Sequence, residues 1–431
     1  MTTSINQLYD IFLEHPFVTT DSRNVPQGGI FFALKGEKFD GNNYAPVAIE
    51  NGAAYAVIDN KSLAATPNFL LVNDVLSTLQ QLAQLHRRHF SVPIIAITGS
   101  NGKTTTKELT GAVLSKQFST LVTQGNLNNH IGVPLTILSI TSKTEIAVVE
   151  MGANHKGEIA MLCRIASPTY GLITNIGKAH LEGFGSFDGV VSAKTELYDH
   201  IRNVQGKIFL NADDSLLNSL SNKIDRIKYG TGENLKVKGK LTGEFPFIKV
   251  NIETNTGRTD IETQLTGSYN IHNILAAACI GDHFGVDLNN IREAIAGYKP
   301  TNNRSQLINT RQNKIIMDAY NANPSSMEAA ISHFAKFPGQ NKVIILGDML
   351  ELGAESLAEH NRILDLALHS GAGEIILIGR WFGETGKNKV LNTFSSVEEA
   401  IQRFRQKHLS GKTILIKGSR GIRLEKLLDV L

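Results

Sequence analysis

The chain has 431 residues, more than one core usually organises, so two or three domains are expected. Its 43 Lys and Arg oppose 40 Asp and Glu without any single-sign block, and the resulting +3 gives no electrostatic case for nucleic acid or an anionic membrane. Cys163 and Cys279 lie in apolar, helix-like contexts (AMLCRIA and LAAACIG), where a small buried hydrophobe is the plain reading and a reducing compartment fits.

The amino terminus, MTTSINQLYDIFLEHPF, lacks a basic start and carries Asp10 and Glu14 where a secretory signal is uncharged. No apolar run approaches the roughly 18 residues a membrane helix needs. A cytoplasmic protein without membrane insertion is expected.

Residues 1–88 mix short β-like runs (GGIFFAL, AAYAVID, NFLLV) with glycine-rich turns and close on an amphipathic helix, VLSTLQQLAQLHRRHF. A break falls near Ser91-Val92-Pro93. Over 89–299, strands apolar on both faces (PIIAIT, EIAVVEM, YGLITNI, KIFLNA) alternate with helical segments, which implies a mainly parallel sheet covered on both sides. Alternating runs from about 235 to 266 predict an antiparallel edge, and HNILAAACIGDHFG and NNIREAIAGY predict two helices. Residues 300–431 repeat the α/β pattern with KIIMDAY, KVIILGD, EIILIG and TILIKG. The expected fold class is α/β in three domains: a small amino-terminal domain, a central sheet of the phosphate-loop ATPase type, and a Rossmann-like carboxy-terminal domain.

Ligands of open parallel sheets gather at the carboxyl ends of strands. The first central strand runs into Gly99-Ser100-Asn101-Gly102-Lys103-Thr104-Thr105 and then a helix. Glycines let backbone N–H groups close on phosphate oxygens, Lys103 supplies neutralising charge, and the Thr104 hydroxyl suits magnesium. The outer glycine of the strict phosphate-loop pattern is replaced by Ile97, giving the tighter G-x-x-G-K-T. A plain glycine turn is the alternative.

Glu150 ends the buried strand IAVVE, where an ionised carboxylate needs a cation; a magnesium ion and a salt bridge to an unseen Lys or Arg serve equally. His180 lies in the glycine-punctuated loop NIGKAHLEGFGSFDG, where a surface histidine is the plainer reading than a ligand. In FDGVVSAKTELYDHI, Lys194 shares a helical stripe with Val190, Leu197 and Ile201. Snorkelling is the usual escape for such a lysine, and a buried, neutral, nucleophilic amine is the sharper alternative. Asn222-Lys223-Ile224-Asp225 matches a guanine-reading tetrapeptide, but it follows a helix-like segment instead of ending a buried strand.

Together these residues resemble the Mur ligase family of ATP-dependent amide-forming enzymes, which shares its architecture with folylpolyglutamate synthetase. TDSRNVPQGGIFFALKGEKFDGNNY, GNLNNHIGVPLT, MDAYNANPSSMEAA and ILGDMLELG with His360 are most similar to the branch that adds D-alanyl-D-alanine to UDP-N-acetylmuramoyl-tripeptide in peptidoglycan precursor synthesis. His130 departs from the acidic residue many relatives carry there.

The resemblance implies ATP, two magnesium ions and a carbamylated Lys194 as the working groups, and a monomeric enzyme. Thr104 and Glu150 match ligands of one magnesium; His180 and the carbamate match the other. Lys103, Lys194 and His180 match catalytic positions. Asn273, Arg304 and Asp318 match adenine, phosphate and ribose contacts. Ser22 and Arg23 fall in the segment expected to hold the uridine diphosphate end, and Asn126, Asn128 and Asn129 in a further substrate segment. Lys417, Ser419 and Arg420 are placed to meet the dipeptide or the peptide carboxylate. A phosphate-loop switch or motor ATPase, in which hydrolysis drives movement, is the rival from another class.

Overall fold

The computed structural model describes residues 2–65, 67–301, 303–339, 341–387 and 391–431. Three main sheets follow one another along the chain, and a two-stranded ribbon, Lys35–Gly36 with Phe39–Asp40, lies in the first unit. The first has four parallel strands in the order Val18–Thr19, Ile30–Phe32, Tyr55–Ile58, Phe69–Leu71. It is followed by the helix Val75–Arg88, which Asp74 caps through the Ser77 N–H and which buries Leu79, Leu82 and Ala83. Arg87, at the end of that helix, is buried and donates to the carbonyls of Ala166 and Val92, tying the first unit to the second.

The central sheet has nine strands, and four of its elements build the site. Strand β1 (Ile94–Thr98) leads into helix α1 (Lys103–Leu114), β2 is Ile146–Glu150, and β3 is Tyr170–Ile173. The three strands are parallel neighbours in the order β3, β1, β2. Their apolar residues alternate between faces: Ile94 and Ala96 pack toward helices Glu158–Ala166 and α2 (Phe187–Asn203), while Ile95 and Ile97 pack toward α1 and α3 (Ile271–His283). That two-sided burial is why these strands read as continuous hydrophobic runs. The far edge is antiparallel, Val237–Gly243 with Lys249–Thr254 and Gly257–Glu262, where alternation led us to expect it. Lys207–Asn211, beside β3, and two strands without a strong sequence signal complete the sheet: Thr120–Val122, which is half-buried, and Asp225–Gly230, which starts exposed.

The third sheet has six strands. Its centre is β4 (Lys314–Asp318), β6 (Thr413–Lys417), β5 (Lys342–Gly347) and Glu374–Ile378, in that order and parallel; Gln306–Asn309 pairs antiparallel at the β4 edge and Asn392–Phe394 parallel with Glu374–Ile378 at the other. Helix α4 (Pro324–Lys336) follows β4, with Asn323 as its cap accepting from the Ser326 N–H. Among the described residues no helix is long and apolar enough to cross a membrane.

The hairpin between Val237–Gly243 and Lys249–Thr254 reaches α4. Phe245 stacks on His333 at 5.1 Å and meets Phe337 edge-on at 5.4 Å. His333 is buried, and neither ring nitrogen has a hydrogen-bond partner among the described residues. Burial, helped by Lys336, therefore holds its pKa down to about 4, against 6.5 for a free imidazole. Because the folded pKa lies below the unfolded one, the unfolded chain takes up a proton the folded chain refuses, and stability falls as pH drops from 6.5 toward 4. Replacing His333 by Leu is expected to remove about 2–3 kcal/mol of that acid loss, read from denaturant midpoints at pH 7 and about 4.5.

Candidate active site

Register brings the strand ends level. Ile97 of β1 pairs with Glu150 of β2, and Thr98 pairs with Ile173 of β3, so the Gly99 loop, Glu150 and Thr174 emerge side by side. The loop is then pinned to the β3 exit. The Ser100 N–H donates to the Asn175 carbonyl, Asn101 N–H donates to Asn175 Oδ1 at 3.0 Å, and Ser100 Oγ bonds both ways with Gly177. Gly99 has φ +144°, and a Cβ there would lie 2.0 Å from Thr174 Oγ1. Gly102 has φ +78°, and a Cβ there would meet Asn273 Oδ1 at 2.6 Å. Both positions therefore require glycine.

Lys103 opens α1, and its Nζ donates to the Gly99 carbonyl at 2.7 Å, folding over the loop. Burial pushes its pKa down to about 8, with Glu150 raising it and Arg304 lowering it. Thr104 donates to Glu150 Oε1 at 3.1 Å, and Asn128 Nδ2 donates to the same oxygen at 2.7 Å. Glu150 Oε2 has no hydrogen bond among the described residues. It does have a cation: Lys107 Nζ stands 3.6 Å away, nearly fully buried, and donates to the Gly125 carbonyl at 3.0 Å. Of the two cations the sequence left open for Glu150, a lysine is thus present, one turn beyond Lys103. The spacing in KTTTKE puts Lys103 and Lys107 four residues apart on one helix face, a signal present in the sequence.

Lys194, on α2, is 1 % exposed, which rules out snorkelling. Among the described residues its ammonium makes no hydrogen bond or ion pair; the Phe184 ring lies 5.5 Å away. Burial and the nearby Lys103 charge lower its pKa to about 7, against the pull of Glu158 and Glu196. A substantial neutral fraction is available at neutral pH. His180 has left-handed φ +51°, is mostly buried, and sets Nδ1 against the carboxylate of Glu351 from the third sheet's loops.

The loop, Glu150 and the third unit enclose a cavity of about 530 Å³. Its walls include Ser100, Asn101, Gly102, Lys103, Thr104, Thr105, Asn128, Asn129, Glu150 and His180, together with Asn273, Arg304, Asp318 and Lys417. Asn323, missed from the sequence as a site residue, crosses the seam to donate to Asn101 Oδ1 at 2.8 Å. Asn273 accepts from Thr106 Oγ1 at 3.0 Å. Register places Lys417 beside Asp318, with Nζ 2.5 Å from Oδ2. Arg304 lies 3.5 Å over the Tyr320 ring, and its Nε has no partner among the described residues.

Other expected residues lie elsewhere. Ser22 and Arg23 sit on the first unit, where the exposed Arg23 forks onto Asp21. Asn126 is exposed outside the cavity wall, and Arg420 is exposed with its guanidinium 5.3 Å from Tyr320. Ser419 is buried, and its hydroxyl accepts from the Leu350 N–H at 2.9 Å instead of facing the cavity. Lys194 lies beneath the wall, not in it. His360 is fully buried: its Nε2 accepts from the Met349 N–H, so Nδ1 carries the proton donated to the Ser356 carbonyl.

Among the described residues no three His, Cys, Asp or Glu side chains gather as a metal cluster. Magnesium needs no such cage, since it keeps waters and takes phosphate oxygens with one or two protein oxygens. The Thr104 hydroxyl beside Glu150, with one carboxylate oxygen free of hydrogen bonds, fits that demand. An ammonium at Lys194 repels a cation, and only its conversion to an anion fits a second ion there.

A glycine loop at a helix start, a lysine folded over it and a carboxylate at the adjacent strand end define a phosphate-loop protein that uses a nucleotide. Three family profiles cover most of the chain: "Mur ligase family, catalytic domain" over residues 15–88, "Mur ligase middle domain" over 97–281, and "Mur ligase, glutamate ligase domain" over 303–420. The chain belongs to the Mur ligase family. It is 36 % identical to UDP-N-acetylmuramoyl-tripeptide–D-alanyl-D-alanine ligase of Bacillus subtilis (strain 168), over 99 % of this chain and 94 % of that one. Its structure matches MurF from Acinetobacter baumannii with a TM-score of 0.85 at 33 % identity, over 96 % of this chain and 92 % of that one. MurF ligase from Thermotoga maritima, in complex with ADP, matches with a TM-score of 0.82 at 27 % identity, covering 96 % of both chains.

Lys107→Met is expected to leave Glu150 as an uncompensated buried anion and cost about 3 kcal/mol in chemical denaturation. The double variant with Glu150→Gln should recover most of that loss.

Proposed function

We propose that this enzyme uses ATP to join D-alanyl-D-alanine to the terminal carboxylate of UDP-N-acetylmuramoyl-tripeptide, in the cytoplasmic supply of peptidoglycan precursors. Full-length similarity to ligases of that name supports the substrates. The observation that carries the chemistry is the meeting of the Lys103 loop and Glu150 with Arg304 and Lys417 across one cavity.

Joining a carboxylate to an amine in water is uphill, and a carboxylate oxygen leaves poorly. ATP answers both: the carboxylate oxygen attacks the γ-phosphorus and ADP leaves, and the dipeptide amine then attacks the acyl carbon, giving up a proton as phosphate departs. The difficulty is charge, because the peptide carboxylate must approach a polyanion. Lys103, released from its loop carbonyls, and the N–H groups at the start of α1 would neutralise phosphate oxygens. Arg304 and Lys417 add positive charge from the third unit.

Asn273, Arg304 and Asp318 would hold adenine, phosphate and ribose. Thr104 and Glu150 would hold one magnesium; His180 and a carbamate on Lys194 would hold a second. Bound there, magnesium lowers the electrostatic cost of gathering these anions. The burial of Lys194 supports the carbamate, because a neutral amine is the form that adds to carbon dioxide.

Residues 1–88 would hold the nucleotide-sugar end through Ser22 and Arg23, residues 89–299 ATP, and residues 300–431 the incoming dipeptide through Lys417 and Arg420. Asn126, Asn128 and Asn129 would lie along the substrate path. No step needs a protein nucleophile, and closure of the cavity keeps water from the acyl phosphate.

Incubation with ATP, magnesium, D-alanyl-D-alanine and a panel of UDP-muramoyl peptides should yield product by mass, with phosphate release requiring both acceptors. Equal ATP hydrolysis with and without them would instead support a switch or motor. Lys103→Ala is expected to lower turnover by at least about 10²-fold. Lys194→Ala should abolish turnover, with partial rescue by short carboxylates; full activity in that variant would remove the carbamate.

A further inference from the structure

Around His180 the central and third units touch through a compact set of polar contacts. His180 Nδ1 lies against Glu351 Oε2, and the Glu182 N–H donates to the Glu351 carbonyl at 3.2 Å. Lys178 Nζ pairs with Glu359 at 2.6 Å, and Gly353 packs on Glu182. Both members of the central pair hold left-handed backbone that non-glycine residues rarely adopt: φ is +51° at His180 and +67° at Glu351. Such conformations persist only where their surroundings impose them.

The ring is held from a second side. Phe184 meets it edge-on at 6.4 Å, and the same phenyl ring lies 5.5 Å from Lys194 Nζ. Nδ1 makes no regular hydrogen bond among the described residues, but the carboxylate oxygen set against it favours the tautomer with the proton on that nitrogen. A neutral imidazole then keeps its free lone pair on Nε2, the nitrogen a cation would take.

We infer that Glu351 is a positioning residue: its carboxylate fixes the tautomer and orientation of His180 for metal binding, and does so only while the third unit is docked. This rests on the reading of His180 as a magnesium ligand. It adds that the ligand set is completed in trans by a loop that touches no metal. Cation binding at His180 and docking of residues 300–431 then favour each other by the same factor. Glu351 acts through His180 and need not touch substrate.

The test uses the full chain with ADP, and manganese as the probe, because it shares magnesium's preference for hard donors and its binding is counted by electron paramagnetic resonance. Glu351→Ala is expected to weaken the manganese site involving His180 by about 10-fold or more, in line with the loss of an outer partner of a histidine ligand. Glu351→Gln should fall between, since its amide oxygen still accepts from Nδ1–H. Lys178→Ala, which removes a seam contact without touching His180, should stay within about twofold of the parent. Small-angle scattering should show the parent compacting with manganese and ADP, and Glu351→Ala compacting less.

His180→Ala distinguishes the failures. If it weakens manganese binding while Glu351→Ala binds as the parent does, the positioning role is overturned and His180 stands. If His180→Ala binds as the parent does, the ligand assignment itself falls. A loss in Lys178→Ala equal to that in Glu351→Ala assigns the effect to docking alone and overturns the inference.

Discussion

A carboxylate sealed inside protein is the constraint around which this molecule is arranged. Glu150 is 1 % exposed at the end of a central strand, and an ion in that position is sustained only by several partners at once. The partners come from three directions: the Thr104 hydroxyl from the helix, the Asn128 amide from the loop after Thr120–Val122, and the Lys107 ammonium from the next helical turn. One helix supplies two of them because residues three and four apart share a face. The glycine loop must therefore end where it does for α1 to aim Thr104 and Lys107 at the neighbouring strand.

The same geometry sets what the third unit contributes. Asn323 caps α4 with its side-chain oxygen and crosses the seam to Asn101 with its amide nitrogen, so one residue ties a helix start to the phosphate loop itself. Lys417 reaches the cavity by lying next to Asp318 in parallel register, although 99 residues separate them in sequence. Three of the contacts that join the two units are polar, Asn323 with Asn101, Lys178 with Glu359 and His180 with Glu351, and the Phe245 stack on His333 adds an aromatic one.

What could be read in advance follows from the range of the physics. The central strands were legible because burial on both faces leaves continuous apolar runs, and the phosphate loop because glycine and lysine must fall within a few residues of each other. Thr120–Val122 and Asn392–Phe394 were not, since three residues, none of them buried, carry no period. For Lys194 the helical stripe gave its direction but not its depth, and only the surrounding fold separates snorkelling from full burial. Ser419 illustrates the opposite error: a hydroxyl in a promising motif is consumed by the Leu350 N–H, a partner that sequence spacing does not reveal. Glu351 and His180 lie in different units, and nothing local announces their contact.

The two thiols carry a consequence of their own. Cys163 and Cys279 are both fully buried, and burial pushes the first up to about 12 and the second higher still. Burial thus suppresses the reactive thiolate at both positions, and access is closed besides. Alkylating reagents can reach these sulfurs only when the central unit opens, so the labelling rate of the native enzyme is a clock for its rarest, largest fluctuations, running on atoms the chain already possesses.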